Sequence, residues 1–166
     1  GAALVEAFAE QGARVAFIDM EERAGTELAK NTGTWFRAVD VTDVAALKDS
    51  VNDAVAELGP IFALVNNVGN DTRHSPQDLD PESWRRNLAV NLDAAFFAAQ
   101  AVYPGMMSCS RGSIINLSSI NALPTALHVV DGSTTRAAAS SPQTDSTKAI
   151  QRRTRTWSSL PSLTLR

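Results

Sequence analysis

Four short apolar runs, separated by helix-like stretches, decide what this chain can fold into. Arg14 to Asp19 (RVAFID), Thr34 to Val39 (TWFRAV), Ile61 to Asn66 (IFALVN) and Ser113 to Leu117 (SIINL) are apolar almost throughout. They show little alternation with polar residues, which is the pattern of strands covered on both faces. Between them the periodicity is helical. Ala2, Leu4, Val5, Phe8 and Ala9 recur at helical spacing, with Gly12 as a stop. Glu21 to Lys30 reads as a helix with acids early and a lysine at its end. Asp43 caps a helix whose Val44, Leu47, Val51, Val55 and Leu58 share one face, closed by Gly59-Pro60. A polar loop runs from Gly69 to Asp80, and Pro81 then sits in the first turn of a long helix reaching about Tyr103. Strands that alternate with helices predict a doubly wound α/β fold around a parallel sheet.

The 166 residues suit one domain, and 44% hydrophobic with 20% charged residues is globular composition rather than disorder. A net charge of −3 gives no electrostatic case for nucleic acid or an anionic membrane. The single cysteine, Cys109, allows neither an intrachain disulfide nor a cysteine zinc site, and it sits in a turn with no activating pattern. A reducing compartment, the cytoplasm, is the expectation. No apolar run approaches the ~20 residues that span a bilayer. The chain opens Gly1-Ala2-Ala3-Leu4-Val5, without methionine and already periodic, so it reads as a fragment whose upstream part is missing. After about Asp131 the texture changes. Fourteen of the 36 residues from 131 to 166 are Ser or Thr, basic residues outnumber acidic ones, and apolar periodicity is lost. We expect residues 124–166 to be an aberrant, disordered tail behind a partial domain at 1–123. Without interleaved aromatics this basic tail makes a poor nucleic-acid arm, and a frame-shifted end explains it better.

Three places carry candidate chemistry. Asp19 stands at the end of the first apolar run, where a carboxylate can accept from a ribose 2′-hydroxyl and repel a 2′-phosphate, favouring NAD over NADP. The competing reading is a cap for the next helix. Asp40, in Val39-Asp40-Val41-Thr42-Asp43, could accept from an adenine amino group or serve only its own loop. Asn66-Asn67-Val68-Gly69 follows a buried run directly. Buried amides must be hydrogen-bonded, so they suggest a clamp between neighbouring strands, and the glycine lets backbone approach a ligand.

Taken together these motifs resemble the short-chain dehydrogenase/reductase family. Asn66-Asn67-Val68-Gly69 matches the family's Asn-Asn-Ala-Gly, with Val68 in place of alanine. Asn91 matches its long-helix asparagine, Ser119 its catalytic serine, and Gly1 the last glycine of its phosphate loop. Asp19 matches the ribose contact, and Asp40 with Val41 the adenine contact. The resemblance implies a Rossmann-like fold in which the first strand and the C-terminal strands are missing. The runs at 14–19 and 61–66 would then both lack their central partner, and the sheet would be split. It also implies an NAD-dependent oxidoreductase acting on a secondary alcohol or sugar hydroxyl, with Ser119 and Asn91 as catalytic residues. Gly1, Asp19, Asp40, Val41, Asn67, Val68 and Gly69 would bind the cofactor, without a metal. The loop Asn70-Asp71-Thr72-Arg73-His74, followed by Trp84, resembles the aldose 1-dehydrogenases of the xylose type and could line a sugar site. A solvated loop with Trp84 as a helix anchor is the alternative. Neither His74 nor His128 has a role in this chemistry. Family members commonly form dimers or tetramers through their long helices, here residues 80–104.

The sequence departs from the family where the proton moves. A tyrosine thirteen positions after the serine is the family's base, and a lysine four residues later lowers its pKa. Those positions hold Gly132 and Arg136. The one tyrosine, Tyr103, lies toward the other end of the long helix from Asn91. The chain as written is therefore expected to be inactive, and a non-catalytic nucleotide-binding or scaffold remnant is the alternative.

Overall fold

The structure is a computed structural model and describes residues 1–72, 75 and 77–118. Helices and strands alternate as α1 (Ala2–Glu10), β1 (Ala16–Asp19), α2 (Glu22–Thr32), β2 (Trp35–Ala38), α3 (Val44–Leu58), β3 (Ala63–Asn66), α4 (Pro81–Leu88), a π-helical turn (Ala89–Asp93), α5 (Ala94–Ser108) and β4 (Ser113–Asn116). The helix boundaries follow local chemistry. The Asp43 carboxylate accepts from the Ala45 and Ala46 amides and starts α3. Asp80 does the same for α4 through Glu82 and Ser83, with Pro81 just inside. Gly33 ends α2 in the left-handed region at φ 66°, where a side chain would be strained. The long helix expected from Pro81 is present, interrupted by the π turn and extending to Ser108.

All strand pairs are parallel. β1 lies beside β2 with Ala16 opposite Trp35, and β3 beside β4 with Ala63 opposite Ser113. Among the described residues these are two separate two-stranded sheets. The split expected from the sequence is thus observed, and β1 and β3 each keep one edge without a strand partner. The expectation of strands buried on both faces needs correction. No residue of the four strands is buried, and β4 is exposed along its length. A two-stranded sheet leaves every strand an open edge, through which solvent reaches backbone and flanking side chains.

The core lies instead between α3 and α5. Leu47 and Ala54 are buried on α3, a stripe of Ala94, Ala98, Val102 and Met106 is buried on α5, and the two helices pack on each other. The buried face of α3 is Leu47, Ser50 and Ala54, turned from the expected face, and Val55 is exposed. Small residues on both helices suit close packing, and Val55 of the expected face falls outside it. Lys48 reaches across, donating to Gln100 Oε1 at 2.8 Å with its ammonium over the Phe97 ring. On the other side α2 lies on β2 through Gly25, where an added Cβ would stand 2.2 Å from the Phe36 ring.

Candidate functional site

Within each sheet the strands run the same way, so their carboxyl ends collect the polar residues singled out above. In open α/β sheets ligands bind at that edge. Gly1 precedes α1, and a Cβ built on it would lie 3.4 Å from Asn67 Nδ2. The N-terminus of α1 therefore sits against the residue that follows β3. A helix N-terminus offers backbone N–H groups and the positive end of the helix dipole, which suit an anion.

Asp19 closes β1 and is exposed. One of its oxygens accepts from the Glu21 amide at 3.0 Å, which braces the turn before α2; the N-cap of that helix is Glu21 and has no side-chain cap, so the alternative of Asp19 as a helix cap is not what the structure has. Asp40 follows β2, and its Oδ1 accepts from the Thr42 amide at 2.9 Å and the Thr42 hydroxyl at 2.8 Å. The amide bond first, then the hydroxyl, and more weakly the Arg86 charge hold its carboxyl below the usual carboxylate range against slight desolvation. Asp40 is thus an anion at neutral pH. The Val41 side chain is buried in the core. Val68 and Gly69 are exposed on the loop after β3.

The clamp inferred from paired asparagines exists. Asn66 Nδ2 donates to Asn116 Oδ1 at 2.8 Å and, at longer range, to the Ala95 carbonyl. It ties the ends of β3 and β4 to each other and to the first turn of α5. Asn91 lies in the π turn and is 4% exposed. Its Oδ1 accepts from the Asn70 amide at 2.8 Å and its Nδ2 donates to the Asn70 carbonyl at 2.9 Å. One side chain thus satisfies both main-chain groups of a loop residue, as a neighbouring strand would.

Asn87 is the residue that sequence reasoning missed. It is buried, and its Oδ1 accepts from Asn70 Nδ2 at 3.0 Å. Asn70 Oδ1 in turn accepts from the Thr72 amide and hydroxyl. Four-residue spacing from Asn91 was the available signal, since it places both amides on one helix face. Asn70, read from the sequence as a sugar-lining residue, has its amide committed to this network. Trp84 is half-exposed near the start of α4, and Cys109 is exposed just past α5. Tyr103 is exposed on α5, twelve residues from Asn91, which is roughly 18 Å along a helix at 1.5 Å per residue. Ser119, Gly132, Arg136, Arg73, His74, His128 and the tail lie outside the described residues. Among the described residues no helix is long and apolar enough to cross a membrane.

Comparison with known proteins adds the following. A family model described as short chain dehydrogenase matches residues 1–152. A probable galactose dehydrogenase of Rhizobium meliloti is 45% identical over 126 residues, covering 72% of this chain and 49% of that protein. A D-xylose 1-dehydrogenase of Caulobacter vibrioides is 36% identical over 126 residues, covering 73% of this chain and 49% of its own length. The chain thus spans about half the length of these curated relatives. A mutant of the Serratia marcescens short-chain dehydrogenase/reductase superimposes with a TM-score of 0.72 at 29% identity, over 84% of this chain and 57% of that one.

Proposed function

The chain belongs to the short-chain dehydrogenase family, and on that premise we propose that it forms the nucleotide-binding half of an NAD-dependent oxidoreductase. Its substrate is a secondary alcohol or a sugar hydroxyl, in keeping with relatives named for galactose and D-xylose. The observation that carries the reading is the meeting of Gly1 with Asn67 at the carboxyl end of β3. The residues fit a dinucleotide. A side chain at position 1 would begin to crowd the Asn67 amide where a pyrophosphate approaches the helix N-terminus. Asp19 holds the ribose hydroxyls and disfavours a 2′-phosphate. Asp40, kept ionised by Thr42, faces the adenine side together with the Val41 main chain. Asn67, Val68 and Gly69 line the nucleotide, with Asn91 fixing the loop that follows. When bound, NAD supplies the hydride acceptor.

Ser119 hydrogen-bonds the reacting oxygen in this reading. By the family's spacing, Gly132 stands where a tyrosine would take the proton and Arg136 where a lysine would assist it. We therefore read the chain as binding cofactor without completing turnover. A second reading, a non-catalytic nucleotide-binding or scaffold protein, is favoured by that same Gly132. The exposed Phe96 and Tyr103 on α5 support self-association through residues 80–104.

The test is a fluorescence titration with NADH and NADPH, followed by assays with NAD and either galactose or xylose. Binding of NADH more tightly than NADPH without turnover is the expected result, and replacing Asp19 with Ser should narrow the preference. Failure to bind either nucleotide sinks the cofactor reading, and turnover above background sinks the inactive one.

A further inference from the structure

We propose that Asn87 is a positioning residue whose amide sets the loop leaving Gly69 by fixing the side chain of Asn70. The amide orientations follow from one another. The Thr72 amide can only donate, and it meets the Asn70 side chain at 3.0 Å, so the oxygen of Asn70 must face it. The Asn70 Nδ2 then points at Asn87 at 3.0 Å, and Asn87 must answer with its oxygen. Flipping either amide would set donor against donor. Asn87 Nδ2 is consequently turned the other way. It is buried and without a hydrogen-bond partner among the described residues.

A buried donor without an acceptor destabilises the fold, and a leucine of similar size would remove that cost. Packing alone therefore does not explain an asparagine at this position, 2% exposed. What the amide does is hold Asn70. Asn91 fixes the main chain of Asn70, and Asn87, four residues earlier on the same helix, fixes its side chain. Through Asn70 Oδ1 the restraint passes to Thr72. The segment so held begins next to Asn67, Val68 and Gly69, where the nucleotide is placed above. The link to binding rests on that reading. The link to the loop does not.

The test uses the full 166-residue chain, with Asn87→Leu to remove the acceptor and Asn87→Asp to keep an oxygen facing Asn70 in either protonation state. Amide hydrogen exchange at Asn70 and Thr72 reads the loop, thermal melting reads the fold, and NADH titration reads the site. The Leu variant removes the unpaired Asn87 donor but leaves Asn70 Nδ2 without its acceptor, so it should melt close to the parent while exchanging at Asn70 and Thr72 tenfold or more faster and binding NADH several-fold more weakly. The Asp variant should restore the protection. Unchanged exchange in the Leu variant overturns the proposal. So does faster exchange spread evenly over α5 with a lowered melting temperature, which would make Asn87 an ordinary core residue. Unchanged NADH affinity beside a loosened loop overturns the link to the site. If the parent chain binds no NADH, the proposed function has failed, and the exchange comparison alone decides the role of Asn87. Should the Leu variant not fold, Asn87→Ala is read in the same way.

Discussion

Replacing Asn91 with alanine tests the helix-to-loop junction most directly. The side chain is 4% exposed and makes two bonds to one residue, at 2.8 Å to the Asn70 amide and 2.9 Å to its carbonyl. Alanine removes both at once and leaves a partly buried N–H and C=O facing a small void. Each unsatisfied group costs about 1–3 kcal/mol, and water entering the void recovers part of that. The expected loss is about 2–4 kcal/mol. With a urea dependence of about 2 kcal/mol per molar for a small protein, the unfolding midpoint should fall by roughly 1–2 M. Tryptophan fluorescence is a suitable probe, since Trp84 lies in α4 and Trp35 in β2. Asn91→Asp keeps the acceptor for the Asn70 amide but sets an anion against the Asn70 carbonyl, so it should not restore the midpoint. An unfolding free energy for the alanine variant within about 0.5 kcal/mol of the parent, the spread of ordinary surface substitutions, would refute the reasoning and reduce Asn91 to a passive helical residue.

Other outcomes follow from single contacts. Gly25→Ala should destabilise by about 1–3 kcal/mol, because its Cβ would stand 2.2 Å from the tip of the Phe36 ring, itself in tilted contact with Phe17 at 4.9 Å between centroids. Gly112→Ala would bring its Cβ to 2.5 Å from Met106 Cγ and Sδ and 2.6 Å from Met106 Cβ, which the backbone fixes, so it should cost at least as much in the same melt. The Ser83 hydroxyl and then its amide hold the Asp80 carboxyl below the usual carboxylate range. A folded pKa below the unfolded one adds stability above pH ~4 that is lost as the pH falls further. Asp80→Ala should therefore melt below the parent at neutral pH, with the gap closing under acid; a gap that stays constant from pH 7 to pH 3 would show that the carboxylate charge is not what caps α4.

Much of this fold is legible locally. Asp43, Gly33, Asp80 and Pro81 mark helix ends through bonds to residues two or three positions away, and such signals survive in a linear reading. The Asn66 clamp is legible too, because an amide after an apolar run must find a partner even when that partner cannot be named. What escapes is non-local. The buried face of α3 turns on the smallness of Ala94 and Ala98, which lie 40 or more residues on. Asn87 sits in PESWRRNL, a stretch polar enough to pass for a solvated surface, and its partner is 17 residues away in a loop. Strand burial was overestimated because an apolar run records what a sheet face is suited to. Whether the face is covered depends on the rest of the sheet.

The π turn at Ala89–Asp93 has a consequence for how this region tolerates change in length. A π turn stores one surplus residue inside an otherwise continuous helix. Deleting a residue here would let α4 and α5 merge into an unbroken α-helix, an outcome that backbone energetics alone would favour. The flanking residues would keep their faces, because the deleted residue is the one the wide turn absorbs; straightening the turn without a deletion would instead rotate everything before it by about 100° relative to everything after it, the angle per residue of a 3.6-residue turn. Asn87 would leave Asn70 while Ala94, Ala98 and Val102 stayed against α3. In this segment, then, a regular helix of the same length would be the better helix and the worse scaffold, and selection for helical content alone would act against alignment of the loop.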